Sequence, residues 1–154
     1  LFLVPYCGWA PVLNALASVP AGGTPAAALE NLDREALRQL GHAKAREVNP
    51  QFEKVAAKIT ARDPGLLDHL TETAYGAVYG RAGLDLKTRE LLAVTLLAVS
   101  GHEPQLKYHL RGALHTGASP AEIREVLVQT HLYAGWPAAL AGLAALDAIS
   151  GGGK

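Results

Sequence analysis

The sequence predicts an all-α fold of about seven or eight helices, and three observations lead to this prediction. Hydrophobic residues make up 49% of the chain but aromatic residues only 6%, so alanine, leucine and valine dominate, which favours packed helices over a β-sandwich. Helix start signals in which proline follows a capping side chain recur along the chain, and no segment is convincing as a strand. A chain of 154 residues suits one domain with a single core.

The first half of the chain contains a short apolar start, a linker and charged amphipathic segments. Residues 18–32 are rich in proline, glycine and small side chains and are expected to form a linker. Asp33 is a candidate N-cap, and Pro50 and Pro64 stand where the first turn of a helix favours proline. The expected helices of this half cover residues 9–17, 33–47, 50–61 and 64–80.

The second half contains the most apolar segment of the chain. Residues 91–99 are apolar on every side, which predicts a central buried helix. Ser119-Pro120-Ala121-Glu122 has the pattern of a capping box, and Gly135 is expected to interrupt the helical pattern. The expected helices of this half cover residues 86–100, 102–116, 120 to about 133, and 136–149.

The charge balance and the cysteine content exclude several classes of protein. Lysine plus arginine and aspartate plus glutamate both total 14, so the chain lacks the positive charge that binds nucleic acid or an anionic membrane. The single cysteine, Cys7, cannot form an internal disulfide, so nothing suggests secretion. No unbroken apolar run reaches the ~18 residues of a membrane span. We therefore expect a cytoplasmic protein without nucleic-acid or membrane partners.

A short segment occurs twice in the chain. Residues 6–17 resemble residues 133–144 at an offset of 127, with six of twelve positions identical and a Tyr-x-Gly-Trp sequence in both. Helices rich in alanine and leucine match easily by chance, but tyrosine, glycine and tryptophan together do so less easily. If the match is a true repeat, residues 1–17 are the last helix of an upstream copy of the domain, and residues 33–150 form the domain itself. The absence of an initiator methionine then suggests a chain cut from a longer tandem protein.

Several motifs in the second half occur together in one known family. They are Gly-Leu-Asp followed by Thr-Arg at 83–89, a histidine within a polar helix, His-Thr-Gly-Ala-Ser at 115–119, Glu-Ile-Arg-Glu-Val-Leu at 122–127, and Tyr-x-Gly-x-Pro-Ala-Ala at 133–139. Residues 75–145 resemble the carboxymuconolactone decarboxylase family of the alkylhydroperoxidase D-like superfamily. The resemblance implies a helical bundle, assembly as a homotrimer or homohexamer, apolar cavities near subunit contacts, and a reaction without a cofactor.

The family has two main branches, thiol peroxidases and decarboxylases, and the sequence differs from the first at two essential positions. The peroxidases carry Cys-x-x-Cys-x-x-x-His, but the two cysteine positions are His102 and Gln105 here, and only the histidine is kept, as His109. A peroxidatic thiol needs a thiolate and a second thiol to resolve it, so a thiol peroxidase is excluded. Cys7 lies in another segment and is interpreted as a small buried hydrophobic residue. Glu90 matches the glutamate that the peroxidases use as a proton relay.

The decarboxylases of aromatic catabolism lack the cysteine pair and keep the histidine, as this chain does. The resemblance implies His109 as the proton donor or acceptor and Glu90 as the residue that orients it. Two structural alternatives stay open: His109 as a hydrogen-bonded structural histidine, and Glu90 as a first-turn residue stabilised by the helix dipole. Loss of CO2 from a small carboxylated lactone needs a stabilised oxyanion and a proton, which such residues can supply.

Further side chains are candidates for binding a small-molecule substrate. Arg89 could bind a carboxylate with two hydrogen bonds, or could pair with a neighbouring helix. The other candidates, which could equally be surface, core or interface residues, are His102, Gln105, Tyr79 and Trp136. No metal site is expected, because His102 and His109 are seven residues apart and no His-Glu-x-x-His sequence occurs. The segment before residue 64 departs from the family pattern, so a non-catalytic helical oligomer or small-molecule binder is the alternative function.

Overall fold

The computed structural model describes residues 4–18 and 32–151, and all regular structure within these ranges is helical. The predicted all-α fold is therefore confirmed. The chain divides into two compact units, Leu1–Asp85 and Leu86–Lys154. Most of the predicted linker at 18–32 lies outside the described residues.

The first unit contains five α-helices and one π-helix among its described residues. Asp33 is the N-cap that the sequence predicts, since its carboxylate accepts from the backbone N–H of Ala36 at 2.8 Å. Asp63, directly before Pro64, caps the next helix in the same way and accepts from the N–H of Gly65 at 2.8 Å. The bounds are α1 Val4–Cys7, α2 Trp9–Ala17, α3 Arg34–Val48, α4 Phe52–Thr60, α5 Pro64–Leu70 and the π-helix Thr71–Tyr79.

The helix predicted at 64–80 changes type at residue 71, where the α-helix gives way to the π-helix. The π-helix packs closely on α3, because a Cβ atom at Gly41 would overlap the backbone carbonyl of Thr71 and one at Gly76 would overlap that of Leu37. Glycine is therefore required at both positions by the approach of two backbones. This contact also buries one side of α3, as expected for the charged amphipathic segment that the sequence predicts there.

Aromatic rings connect α4, the π-helix and α1. The rings of Phe52 and Tyr75 contact edge to face at 5.7 Å, and those of Tyr75 and Tyr79 lie 5.2 Å apart. The hydroxyl of Tyr79 is 2.8 Å from the hydroxyl of Tyr6. Residues near the start of the described chain are therefore hydrogen-bonded to the end of the π-helix. The prediction that Cys7, the neighbour of Tyr6, is buried is wrong, because its side chain is exposed at the end of α1.

The second unit is built around α6, which packs against the three helices that follow it. Gly101 allows the turn between α6 and α7 because it adopts a positive φ of 73°. The predicted central helix is confirmed, with Ala93, Val94 and Leu97 buried. The bounds are α6 Leu86–Ser100, α7 Glu103–His115, α8 Pro120–Gln129 and α9 His131–Ser150.

The boundary between α8 and α9 differs from the prediction. The capping box at the start of α8 is present: the Ser119 hydroxyl accepts from the N–H of Glu122, and the Glu122 carboxylate accepts from the N–H of Ser119. However, α8 ends at Gln129 and helical structure resumes at His131, before Gly135 breaks it with a φ of 76° and a ψ of 170°. The break at Gly135 is where the sequence predicts it.

The helix His131–Ser150 is long and apolar enough to cross a membrane by length and composition, although the sequence suggests no such segment. A mostly buried core helix of a soluble protein can pass the same test, but only 22% of the apolar window of this helix is buried. The break at Gly135 leaves a continuous helix of about 22 Å from Trp136 onward at 1.5 Å per residue. That length is shorter than the ~30 Å hydrocarbon core of a bilayer, which argues against a span.

Candidate active site

The hairpin of α6 and α7 brings together two ionisable side chains that are 19 residues apart. Nδ1 of His109 lies 2.9 Å from Oε2 of Glu90. Glu90 is fully buried and His109 almost so. The predicted proximity of the two residues is therefore found, and the reverse turn at Gly101 is its cause.

The hydrogen bond defines the tautomer of the histidine. An ionised Glu90 can only accept, so Nδ1 of His109 carries the proton and donates it to this bond. Nε2 is then left as the atom that can accept a proton from a substrate or, once protonated, return it. The ring of Tyr108 stands edge-on to the His109 ring at 5.3 Å. Two neighbours therefore fix the orientation of the imidazole.

The burial of Glu90 bears on the helix-dipole alternative. Glu90 is the fifth residue of α6, whereas the dipole acts mainly within the first turn. A dipole also gives no reason to bury a carboxylate completely, which is costly unless hydrogen bonds compensate. The bond to His109 supplies such compensation, and it favours Glu90 as a residue that orients the histidine.

Arg89 precedes Glu90 on α6 and is also buried. A guanidinium stays charged at any physiological pH, so α6 places a permanent positive charge inside the fold next in sequence to the buried carboxylate. The planar fork of arginine suits a carboxylate ligand. Its predicted contact with a substrate carboxylate stays a prediction.

The other predicted substrate contacts occupy different environments. His102 and Gln105 are exposed near the start of α7, on the turns before His109. Trp136 is exposed, and its ring stacks on that of His131 at 4.4 Å. Tyr79 is buried in the first unit, where it bonds to Tyr6. Contact of these four residues with a substrate stays a prediction.

The start of α6 is held to α8 by a pair that sequence reasoning missed. Nζ of Lys87 lies 2.5 Å from Oε1 of Glu122. The hydrogen bond from Lys87, together with those from the backbone and hydroxyl of Ser119, lowers the pKa of Glu122 to about 2. The pair anchors the helical turn that precedes Glu90. Its only sequence signal is the capping box, which predicts the Ser119 bonds but not the lysine.

Two open grooves in the second unit are lined by other residues. One of about 500 Å³ follows the outer face of α6 and includes Leu92, Val99 and Tyr133. Another of about 410 Å³ lies between the α6–α7 turn and the small residues of α9. Neither groove is lined by His109 or Glu90. Among residues 4–18 and 32–151, no group of three or more side chains of the types that bind metals is found.

The helical fold and the histidine–carboxylate pair on adjacent helices agree with the family to which the sequence is similar. The model of the carboxymuconolactone decarboxylase family matches residues 64–148. The chain belongs to this family. The match covers α5 to α9 almost completely and includes both residues of the pair.

Three relatives show what the chain is similar to. An uncharacterised 15.0 kDa protein from Paracoccus denitrificans is 36% identical over 103 residues, which are 65% of this chain and 77% of the relative. The 4-carboxymuconolactone decarboxylase of Acinetobacter baylyi is 35% identical over 74 residues, 48% of this chain and 55% of that enzyme. The nitrosuccinic acid decarboxylase of Metarhizium robertsii is 38% identical over 71 residues, 46% of this chain and 50% of that enzyme. The chain thus spans about half the length of each decarboxylase.

Proposed function

We propose that this protein is a cofactor-free decarboxylase, a carboxy-lyase that acts on a small carboxylated lactone of the 4-carboxymuconolactone type. The observation that carries the proposal is the buried hydrogen bond between Glu90 and His109. A carboxylate that fixes the tautomer of one imidazole leaves the opposite nitrogen ready for proton transfer.

The reaction needs few groups from the protein. The bond from the γ-carbon of the lactone to the carboxylate breaks, and its electron pair moves through the ring double bond into the lactone carbonyl. Carbon dioxide leaves, and a proton is then added to a ring carbon. Donors that stabilise the oxyanion and an acid that works near neutral pH suffice. His109 supplies the proton in this scheme, and no cofactor is required.

The names of two relatives point to one shared chemistry. Loss of CO2 from carboxymuconolactone leaves an electron pair that the lactone carbonyl accepts. Loss of the carboxylate beside the nitro group of nitrosuccinic acid leaves a pair that the nitro group accepts. Both reactions then protonate carbon. We therefore propose, as the substrate class, a small acid in which loss of the carboxylate as CO2 leaves an electron pair that a conjugated electron-accepting group can delocalise.

The remaining proposals concern binding, assembly and location. Arg89 is proposed to bind a carboxylate of the substrate, with His102, Gln105, Tyr79 and Trp136 as further contacts. We also propose a homotrimer or homohexamer, because the outer face of α6 is an open apolar groove and apolar faces of this kind usually pack on a partner. A role in aromatic catabolism within the cytoplasm would agree with the proposed substrate.

A non-catalytic binder of the same fold is the second candidate. The observation that favours it is the exposure of His102 and Gln105, two of the predicted substrate contacts. The two functions differ in one readout. A binder forms a complex with 4-carboxymuconolactone that leaves the compound intact, whereas the decarboxylase converts it with release of CO2.

The test is an assay of the purified chain with 4-carboxymuconolactone and, separately, with nitrosuccinate. Proton NMR follows the substrate, and a coupled assay measures CO2. The proposal expects conversion of at least one compound well above the uncatalysed rate, and unchanged conversion after dialysis against a chelator. Binding of both compounds without conversion would favour the second candidate. Loss of activity on chelation would contradict the cofactor-free reaction.

A further inference from the structure

The Glu90–His109 pair presents a single group to a substrate. The side chain of Glu90 is fully buried, whereas 11% of the His109 side chain is exposed. Nδ1 of His109 lies 2.9 Å from the Glu90 carboxylate, so this nitrogen is engaged within the protein. A substrate that reaches the pair therefore contacts the imidazole, and a proton passes between them through Nε2.

The proposed decarboxylation uses Nε2 in one direction only. Breaking the bond to the leaving carboxylate removes no proton from the substrate, and His109 acts afterwards by adding a proton to carbon. The negative charge of Glu90, however, stabilises the imidazole in its protonated form, which is the state that Nε2 reaches when it takes a proton from a substrate. The pair is therefore also suited to remove a proton from carbon.

Removal of CO2 and removal of a proton lead to the same anion in this class of lactone. Loss of CO2 from the γ-carbon leaves an electron pair that spreads over the ring double bond and the lactone carbonyl. When hydrogen stands in place of the leaving carboxylate, loss of that hydrogen as a proton leaves the same pair in the same place. The two precursors thus share the state that the protein must stabilise.

We propose that the Glu90–His109 pair also catalyses the isomerisation of unsaturated γ-lactones that carry hydrogen at the γ-carbon. Nε2 accepts the γ-proton as the C–H bond breaks, and the electron pair of this bond moves through the ring double bond into the lactone carbonyl. Nε2 then returns the proton to the carbon beside the carbonyl, and the double bond has moved by one position. This inference rests on the proposed function, because it uses the same histidine and the same anion.

The isomerisation is balanced without a co-reactant. Each proton that leaves the γ-carbon is replaced by one at the α-carbon, so no atom is gained or lost and nothing is oxidised or reduced. The α- and γ-carbons are separated by one ring atom, so one nitrogen can serve both. His109 ends each cycle in the state in which it began.

The charges buried in the second unit agree with a substrate that lacks the leaving carboxylate. Among the described residues, the aspartate, glutamate, lysine, arginine and histidine side chains that are buried are Arg89, Glu90 and His109. Arg89 and Glu90 have opposite charges, so their sum with a neutral His109 is zero. Proton transfer from the lactone forms an imidazolium and an anion together, and the sum stays zero. The site therefore needs no further negative charge from the substrate to balance its own.

The experiment follows muconolactone, which has hydrogen where 4-carboxymuconolactone has the leaving carboxylate, by proton NMR in D2O. The full chain should exchange the γ-hydrogen for deuterium and shift the double bond, at a rate well above that in buffer alone. His109→Gln should lower this rate by ~10²–10⁴-fold, the usual contribution of general acid–base catalysis. His115→Gln, at an exposed position of the same helix, is the control and should keep the wild-type rate.

Two further measurements keep the test decisive if His109→Gln does not fold. Glu90→Gln, which replaces the carboxylate by an amide of nearly the same shape, should lower the rate of isomerisation by a smaller factor. Muconolactone should also inhibit the conversion of 4-carboxymuconolactone competitively, with an inhibition constant equal to its own KM, because both compounds bind at one site. Isomerisation of muconolactone without competition would place the reaction elsewhere and overturn the inference.

The inference and the proposed function fail separately. Conversion of 4-carboxymuconolactone without exchange or isomerisation of muconolactone would overturn the inference and leave the decarboxylase standing. Isomerisation that depends on His109, without any release of CO2 from 4-carboxymuconolactone, would support the inference and contradict the decarboxylase. Isomerisation at the wild-type rate by a folded His109→Gln protein would also overturn the inference.

Discussion

Nδ1 of His109 lies 2.9 Å from Oε2 of Glu90, and this hydrogen bond joins two helices within the buried part of the second unit. The carboxylate and the imidazole therefore form one unit, in which Glu90 determines which nitrogen of His109 is available.

Glu90→Gln should reduce turnover less than loss of His109, because the amide can still accept a hydrogen bond but carries no charge to stabilise a protonated imidazole. The effect should largely vanish in the His109→Gln background, since residues that act as a unit are not additive. A double-mutant cycle on kcat checks this. Equal effects of Glu90→Gln with and without His109 would show that Glu90 acts by another route.

Arg89→Lys should raise KM for a carboxylated substrate by roughly tenfold and change kcat less. Lysine keeps the positive charge but loses the planar fork that binds a carboxylate with two hydrogen bonds. Steady-state kinetics separates the two parameters, and Arg111→Lys on α7 serves as the control. A fall in kcat with an unchanged KM would argue against a contact between Arg89 and the substrate carboxylate.

Gly41→Ala should destabilise the first unit, although replacing a glycine within a helix by alanine ordinarily stabilises it. The added Cβ would overlap the backbone carbonyl of Thr71, which cannot move aside as a flexible side chain can. The loss should exceed the roughly 1 kcal/mol that Ala43→Gly costs at an exposed position of the same helix. Urea denaturation of both variants measures the free energies of unfolding. A Gly41→Ala protein as stable as the wild type would contradict the close packing of α3 on the π-helix.

Glu122 should contribute to stability at neutral pH and lose this contribution in acid. The folded protein lowers the pKa of its carboxyl from 4.5 to about 2, chiefly through the hydrogen bond from Lys87. Since the folded-state pKa lies below the unfolded value, the contribution is present above about pH 4.5 and disappears as the pH falls towards about 2.

The stability difference between wild type and Glu122→Gln should therefore shrink over this pH range. Thermal melts at several pH values provide the measurement, with Glu125→Gln on the same helix as the control. A difference that stays constant down to pH 2 would show that the carboxyl is not stabilised in its charged form.

Local signals predicted much of the fold. Asp33, Asp63 and Ser119 have the capping chemistry that starts helices, and the structure uses all three. The change to a π-helix at Thr71 was not predicted, because a segment of nine residues is too short for its apolar pattern to distinguish a π-helix from an α-helix. The close packing at Gly41 was also missed, since it depends on a helix that is distant in sequence.

The part of the candidate site that could be predicted is the pair of residues that a single helical hairpin brings together. Glu90 and His109 stand at similar distances from the turn at Gly101, so antiparallel helices bring them together. The environments of His102 and Gln105 were not predictable, because their spacing suits a cavity and a solvated face equally well. The hydrogen bond between Tyr6 and Tyr79 joins segments 73 residues apart, and no local pattern indicates it.

The most direct test of the central claim compares the wild type with His109→Gln on 4-carboxymuconolactone in D2O. Proton NMR measures both the rate of conversion and the deuterium added to carbon. His115→Gln, at an exposed position of the same helix, is the control. The proposed role of His109 predicts conversion by the wild type and by His115→Gln, and a rate lower by ~10²–10⁴-fold for a folded His109→Gln protein. Conversion by His109→Gln at the wild-type rate would contradict it.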